Sequence, residues 1–82
     1  ASVADQARNC FTTIAASLAA LDASLSDVVR VRYYVTKPEH FDLVAPVLAE
    51  NLGGIDPSAT MIVCQLIRPE MLIEIEVTAQ VG

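Results

Sequence analysis

The last third of the chain limits what it can fold into, because it contains two apolar runs separated by a short break. Residues 59–67 are apolar and rich in β-branched side chains, residues 68–70 interrupt the run, and residues 71–81 alternate with a period of two. This period places successive side chains on opposite faces of a strand. We therefore predict two strands that form an antiparallel hairpin through a tight turn near Pro69.

Two carboxylates share the polar face of the second predicted strand. Glu74 and Glu76 are two residues apart, which places them on the same side at a spacing of about 6.6 Å. They are the first candidates for chemistry in this chain. The simpler interpretation is that they are solvated or form ion pairs with Arg30 and Arg32 of a neighbouring strand.

The first half of the chain predicts a helix followed by a strand. Ser2 and Asp5 resemble a capping box, and helical spacing of apolar residues behind them predicts a helix over residues 3–20. Its apolar seam comprises Ala7, Phe11, Ile14, Leu18 and Leu21. Residues 28–36 then alternate as a strand, with Val29, Val31, Tyr33 and Val35 on its apolar face. We interpret Tyr33 as a core residue rather than a catalytic one.

A second helix is predicted from a cap at Thr36 to the glycines at 53–54. Pro38 and Glu39 suit its first turn, and Pro46 must lie on its solvent side. The predicted buried stripe comprises Phe41, Val44, Val47 or Leu48, and Leu52. His40 is the only histidine, and no nucleophile or metal-ligand spacing accompanies it, so we predict an exposed surface role.

The resulting order is helix, strand, helix, strand, strand, an α/β arrangement in which a crossover helix joins parallel strands. We expect the helices to cover one face of the sheet, and the other face to be apolar as well. The residues assigned to the covered face are Ile62, Cys64 and Leu66, and those assigned to the open face are Met61, Val63 and Ile67. A sheet that is apolar on both faces needs a second cover, and self-association would supply it.

Composition narrows the class of protein. An 82-residue chain is at most one domain, and 54% hydrophobic residues exceed what one small core requires. The net charge of −5 argues against binding to nucleic acid. We interpret Cys10 and Cys64 as reduced core residues and expect neither a metal site nor a membrane span. The default expectation is a cytoplasmic protein, with residues missing before Ala1.

Several strings then identify a family resemblance that covers nearly the whole chain. They are DQARNCFTTIAASLAALDASLSDVVRVRYYVT, HFDLVAPVLAENL, PSATMIVCQL and IEIEVTAQV. Together they resemble the Rid (YjgF) family, which has a chorismate-mutase-like fold. The resemblance implies a two-layer α+β sandwich with helices on one face of a mixed sheet, and a single Rid-like domain over residues 1–82.

The resemblance also implies an assembly and an activity. Family members are homotrimers with small-molecule clefts between subunits, and they hydrolyse enamines and imines to 2-oxo acids and ammonia without a cofactor. Glu74 matches the family's water-positioning glutamate. Ala59 occupies the position of the arginine that binds the substrate carboxylate, and Thr60 and Met61 fall where the family lines its pocket. The implied ligand is a small metabolite such as a 2-imino or 2-oxo acid.

This chain departs from the family pattern in two places. Alanine offers neither the charge nor the donors of the missing arginine, whose loss typically costs about 2 to 5 kcal/mol of binding. Arg32 is a weaker candidate to replace it. The hairpin that usually precedes the first helix has no counterpart here. Three interpretations therefore remain open: an imine deaminase with altered activity, a non-catalytic small-molecule-binding module, and a structural remnant.

Overall fold

The computed structural model describes residues 2–81, which form two helices and a three-stranded sheet. The elements are α1 (Val3–Ala20), a 3₁₀ turn (Leu25–Asp27), β1 (Val28–Val35), α2 (His40–Leu52), β2 (Ser58–Val63) and β3 (Ile73–Ala79). The α+β fold class and the element order match the sequence predictions. Neither described helix combines the length and the hydropathy needed to cross a bilayer.

The strand order is β2-β1-β3, so the predicted hairpin between the last two strands is wrong. Strand β1 pairs in parallel with β2 and antiparallel with β3. Strand β2 ends at Val63, and residues 64–72 carry the chain past the end of β1 to its other side. Backbone hydrogen bonds hold this crossing: Cys64 N donates to Val35 O at 2.9 Å, and Thr36 N donates to Leu72 O at 3.3 Å. A central β1 satisfies its backbone on both sides, which a local hairpin would not do.

The core lies between the two helices and one face of the sheet. Strand β1 contributes three side chains of alternating position, namely Val31, Tyr33 and Val35, all of them buried. The helices bring Ala7, Phe11, Leu18, Val44, Val47 and Leu52 against them. Five large side chains are almost completely inaccessible, and they belong to α1, β1 and α2. The central strand and the two helices therefore supply most of the stabilising burial.

Helix α1 begins and ends where the sequence predicts. Asp5 N donates to the Ser2 hydroxyl oxygen at 3.1 Å, which confirms the N-cap. The apolar seam ends earlier than expected, because Leu21 is 76% exposed and follows the last helical residue.

Helix α2 begins later than predicted, at His40 rather than after Thr36. Residues 37–39 form a turn instead, in which His40 N donates to Lys37 O at 3.1 Å. Phe41 lies in the first turn of α2 and outside the buried stripe predicted for it, since its side chain is 47% exposed. Pro46 lies on the exposed side of the helix, as predicted.

The assignment of β2 residues to the two sheet faces was wrong. Tyr33 faces the helices and lies opposite Met61, whereas Tyr34 lies opposite Ile62. Directly paired residues share a face, so Met61 faces the helices and Ile62 lies on the open face. A register shift at Val28 and Arg30 similarly places Val28 rather than Val29 in the core.

The open face of the sheet is mainly polar, which corrects the expectation of two apolar faces. The pairing places nine side chains on it: Arg30, Arg32, Tyr34, Ser58, Thr60, Ile62, Glu74, Glu76 and Thr78. Only Ile62 and the ring of Tyr34 are apolar. The open sheet face therefore gives no hydrophobic reason to expect self-association.

Candidate functional site

The two carboxylates of β3 have different partners on β1. Glu76 lies opposite Arg32, with 4.0 Å between Arg32 Nη1 and Glu76 Oε1, and both side chains are largely exposed. Glu74 lies opposite Tyr34 and makes no ion pair with any residue of the described range 2–81. The predicted cross-strand pair thus exists for Glu76. Glu74 is the carboxylate that remains available for a ligand or a water molecule.

Glu74 lies at the rim of a cavity between α1 and the outer side of β3. The cavity has a volume of about 360 Å³. Its polar lining comes from Asn9, Cys10, Thr13 and Glu74, and its apolar lining from Ile14, Met71, Ile73 and Ile75. Strand β3 pairs only with β1 in the described sheet, so this cavity opens along a strand edge. A carboxylate, a thiol and a hydroxyl therefore border one small volume.

The thiol of Cys10 stays protonated at neutral pH. Burial raises the pKa of Cys10 above its ordinary value, the nearby Glu74 carboxylate raises it further, and the backbone of Ile75 acts in the opposite direction. A thiol with a raised pKa is a poor nucleophile at neutral pH. Cys10 therefore contributes a polarisable wall to the cavity, and Glu74 is its more reactive group.

The Gln6 side chain fixes the segment that leads into β3. Gln6 Nε2 donates to Glu70 O at 2.9 Å, and Leu72 N donates to Gln6 Oε1 at 2.8 Å. One amide of α1 thus satisfies two backbone groups of a loop that is 64 to 66 residues away in sequence. Both contacts lie within four residues of Glu74, so they restrict where its strand begins.

The predicted substrate-binding residues lie on the other flank of β1. Ala59 and Thr60 are exposed on β2, and Met61 is half-buried. Ala59 pairs with Val31, three residues along β1 from the Tyr34 that pairs with Glu74. Two strand spacings of about 4.8 Å also separate β2 from β3. The described protomer therefore does not bring these residues together with Glu74.

Sequence reasoning missed the contribution of α1 to the cavity at Glu74. Gln6, Cys10 and Thr13 recur at intervals of four and three residues, directly beside the apolar seam. Polar residues that flank the apolar face of a helix lie over the edge of the sheet that the helix packs against. That signal was present, but the position of β3 against α1 could not be found without the strand order.

The lone histidine is less exposed than predicted. His40 is half-buried, and its Nδ1 atom is buried with no hydrogen-bond partner in the described protein. Residues 2–81 contain no group of three His, Cys, Asp or Glu side chains placed to hold a metal ion.

Comparison with known proteins adds a family and close structural relatives. The family model described as Endoribonuclease L-PSP matches residues 1–81. A crystal structure of a Mycobacterium tuberculosis member of the highly conserved YjgF/YER057c/UK114 family is 38% identical, with a TM-score of 0.94, and the match covers 98% of this chain and 69% of that one.

More distant structures share the fold. A Thermotoga maritima protein named as a putative endoribonuclease is 24% identical, with a TM-score of 0.90 over all of this chain and 65% of its own. A Neisseria meningitidis member of the YjgF family is 24% identical, with a TM-score of 0.89 over 95% of this chain and 66% of its own. This chain thus spans about two thirds of the length of these relatives. On the family match and the 38% identical structure, the chain belongs to the Endoribonuclease L-PSP family, which is the YjgF or Rid family.

Proposed function

We propose that this chain forms a homotrimer that holds a small metabolite in clefts between subunits, and that Glu74 acts on an imine or enamine bound there. The observation that carries the proposal is the position of Glu74, which is exposed, free of ion pairs within residues 2–81, and at the rim of a cavity. A carboxylate in such a place can accept a hydrogen bond from water and take its proton.

A second subunit is needed because the other predicted ligand-binding residues lie far from Glu74 in one protomer. Ala59, Thr60 and Met61 lie on one outer strand and Glu74 on the other. Side chains on the two outer strands meet only if one subunit brings its β2 beside the β3 of another. Two exposed apolar side chains at the end of β2, Ile62 and Val63, support burial of that edge in an assembly.

The proposed reaction is hydrolysis of a carbon–nitrogen double bond. A water molecule held by Glu74 adds its oxygen to the imine carbon while its proton passes to the carboxylate. The carboxylate returns that proton to the nitrogen, and it then carries the proton of the new hydroxyl group to the nitrogen as well. The carbon–nitrogen bond breaks as the hydroxyl oxygen becomes a carbonyl oxygen, and ammonia leaves. The carbonyl of a 2-oxo acid remains. The steps require no oxidant, reductant or bound cofactor.

Ala59 lowers the expected rate, since it gives a substrate carboxylate no charged donor. Loss of a charged contact of this kind costs about 2 to 5 kcal/mol of binding free energy. This corresponds to a substrate affinity that is lower by about thirtyfold or more. Activity is therefore expected to be weak. The alternative is a binding module without catalysis, and the exposed alanine at this position favours it.

The test measures ammonia release from freshly generated 2-iminobutanoate, with Glu74→Gln and Glu76→Gln compared with the unchanged chain. Both carboxylates lie on the same face of β3, but Glu76 is already paired with Arg32. We expect Glu74→Gln to reduce the rate above buffer to near zero and Glu76→Gln to retain most of it. If all three chains release ammonia no faster than buffer alone, the proposed imine hydrolysis is wrong. The non-catalytic binding module is then the interpretation that remains.

The assembly is tested separately by light scattering during gel filtration. A mass three times that of the chain supports the intersubunit cleft, and a folded monomer at micromolar concentration contradicts it. The family description refers to RNA cleavage. The net charge of −5 and the mixed charges of the open sheet face give that activity little electrostatic support.

A further inference from the structure

A second cavity lies at the C-terminal end of β1 and has no role in the proposed reaction. We call it the β1-end cavity. It has a volume of about 290 Å³ and is lined by Thr36, Gln65, Leu66, Ile67, Arg68, Pro69 and Met71. It shares Met71 with the cavity at Glu74, but none of its other lining residues. The volume is at the small end of ligand sites, so it suits a compact molecule.

Arg68 gives this cavity a positive charge that no carboxylate neutralises. Arg8 and Arg32 each form ion pairs, whereas Arg68 pairs with no acidic side chain within residues 2–81. Arg30 and Lys37 also form no ion pair within the described residues, but neither of them lines this cavity. A guanidinium presents donors in a planar fork that matches a carboxylate. Gln65 adds an amide that can donate to the same group.

Thr36 supplies a second unused polar group at this cavity. Its hydroxyl oxygen is buried and has no hydrogen-bond partner in the described protein. A buried hydroxyl without a partner is unfavourable, and proteins rarely retain one without reason. Rotation about the Thr36 Cα–Cβ bond moves the hydroxyl without moving the backbone, whose amide is bonded to Leu72 O. A bound ligand would then satisfy the group.

We propose that the β1-end cavity binds a short aliphatic carboxylate. The carboxylate contacts Arg68 and Gln65 and accepts a hydrogen bond from Thr36. The alkyl chain packs against Leu66 and Met71, which are half-buried in the cavity wall. Both polar and apolar parts of the lining are thus used.

This site goes beyond the proposed function, because it needs neither a second subunit nor Glu74. Its failure and the failure of the imine hydrolysis can therefore be told apart. A Glu74→Gln chain should bind the carboxylate at the β1-end cavity as well as the unchanged chain does.

The test is a titration of the isotope-labelled full chain with butanoate, followed by amide NMR shifts. We expect saturable shifts at Thr36 and residues 65–71, weaker binding as NaCl is raised, and no saturable shifts there with butanol or butylamine. Inorganic phosphate is the further probe. If phosphate binds as well as butanoate, the site is a bare anion site and the role of the alkyl chain is overturned.

Variants decide which side chains bind. Arg68→Gln should weaken butanoate binding about tenfold or more, Arg68→Lys should weaken it less, and Thr36→Val should weaken it severalfold. Arg30→Gln is the matched control, because it removes the same charge from the open sheet face. Unchanged binding in a folded Arg68→Gln chain, or equal weakening by Arg30→Gln, would overturn the proposal. If Arg68→Gln does not fold, the Arg68→Lys and NaCl titrations decide in its place.

Discussion

The two outer strands flank the same central strand but differ in how far the chain itself covers them. In β3, Ile73 is buried, and Ile75, Val77 and Ala79 are half-buried. Gln6 holds the segment before β3, and α1 runs close to it. In β2, only Met61 is half-buried, and the other five residues are exposed. This chain itself covers the helix-facing side chains of β3, and it leaves most side chains of β2 exposed to solvent.

This difference indicates where a partner is needed. A strand whose side chains are exposed on both faces gains little from hydrophobic burial and depends on its backbone bonds to β1. Such an edge also presents unpaired backbone groups that can pair with another chain. The β2 flank is therefore the surface from which assembly should be sought. The helix-facing side chains of β3 should behave like the interior of a small domain, whereas the outer edge of β3 is what the proposed assembly places beside the β2 of another subunit.

The largest expected effect comes from two matched substitutions, Ile73→Ala and Ile62→Ala. Ile73 is 3% exposed and Ile62 is 37% exposed, although both lie on outer strands. Removing the buried side chain should lower the free energy of unfolding by about 2 to 5 kcal/mol, and the exposed one by under about 1 kcal/mol. Urea denaturation measures both values.

Measuring both variants at several protein concentrations makes the comparison of the two strands more decisive. If a subunit covers β2, the cost of Ile62→Ala should grow at high concentration, where the assembly forms. A cost above about 2 kcal/mol for Ile62→Ala in a proven monomer would show that the two flanks are covered equally, and the comparison would be wrong.

Next in size is Gln6→Ala, which removes both hydrogen bonds to the loop before β3. Two such bonds contribute on the order of 1 to 3 kcal/mol together, and the freed groups of Glu70 and Leu72 are left without a protein partner. We expect lower stability and faster amide exchange at Leu72. Asn9→Ala is the control, since Asn9 is exposed on the same helix and makes no such bond. Unchanged exchange at Leu72 would mean that Gln6 does not hold the loop.

The sequence predicted those parts of the fold that depend on local periodicity. The ends of α1, the alternation of β3 and the exposed side of Pro46 all follow from spacing along one element. The hairpin and the face assignment of β2 failed because they depend on which strands are neighbours. The turn predicted at residues 68–70 and the crossing observed over residues 64–72 contain the same break at Pro69, so spacing along the chain does not distinguish a hairpin from a crossing.

The candidate site shows the same limit. The sequence identified Glu74 as the carboxylate of interest through its position on the polar face of a strand. It could not identify Gln6 or Cys10 as neighbours, because more than 60 residues separate them from β3. Periodicity alone treated Glu74 and Glu76 alike, and only the family resemblance singled out Glu74. The difference in their partners depends on the register that places Arg32 opposite Glu76.

A smaller effect concerns the thiol of Cys10 beside β3. Burial and the charge of Glu74 raise the pKa of Cys10, so Glu74→Gln should lower it and move alkylation by iodoacetamide to lower pH. The chain should carry Cys64→Ser so that one thiol reacts. Because the folded pKa exceeds the unfolded value near 9.0, the free energy of unfolding should fall as pH rises above about 9. If Glu74→Gln leaves the alkylation profile unchanged, the charge of Glu74 does not act on the Cys10 thiol, and this prediction is wrong.

The smallest effect is expected from the ion pair that joins β1 and β3 on the open face. Arg32 and Glu76 are 46% and 61% exposed and 4.0 Å apart, so solvent screens their attraction. Arg32→Gln should therefore change the free energy of unfolding by under about 0.5 kcal/mol, with little dependence on salt. Arg30→Gln, which removes an unpaired arginine from the same strand, is the control. A difference above about 1 kcal/mol between the two variants would mean that the pair is shielded from water. Since none of residues 2–81 covers that face, the shield would have to be another subunit, and the open face as well as the β2 edge would lie in the proposed assembly.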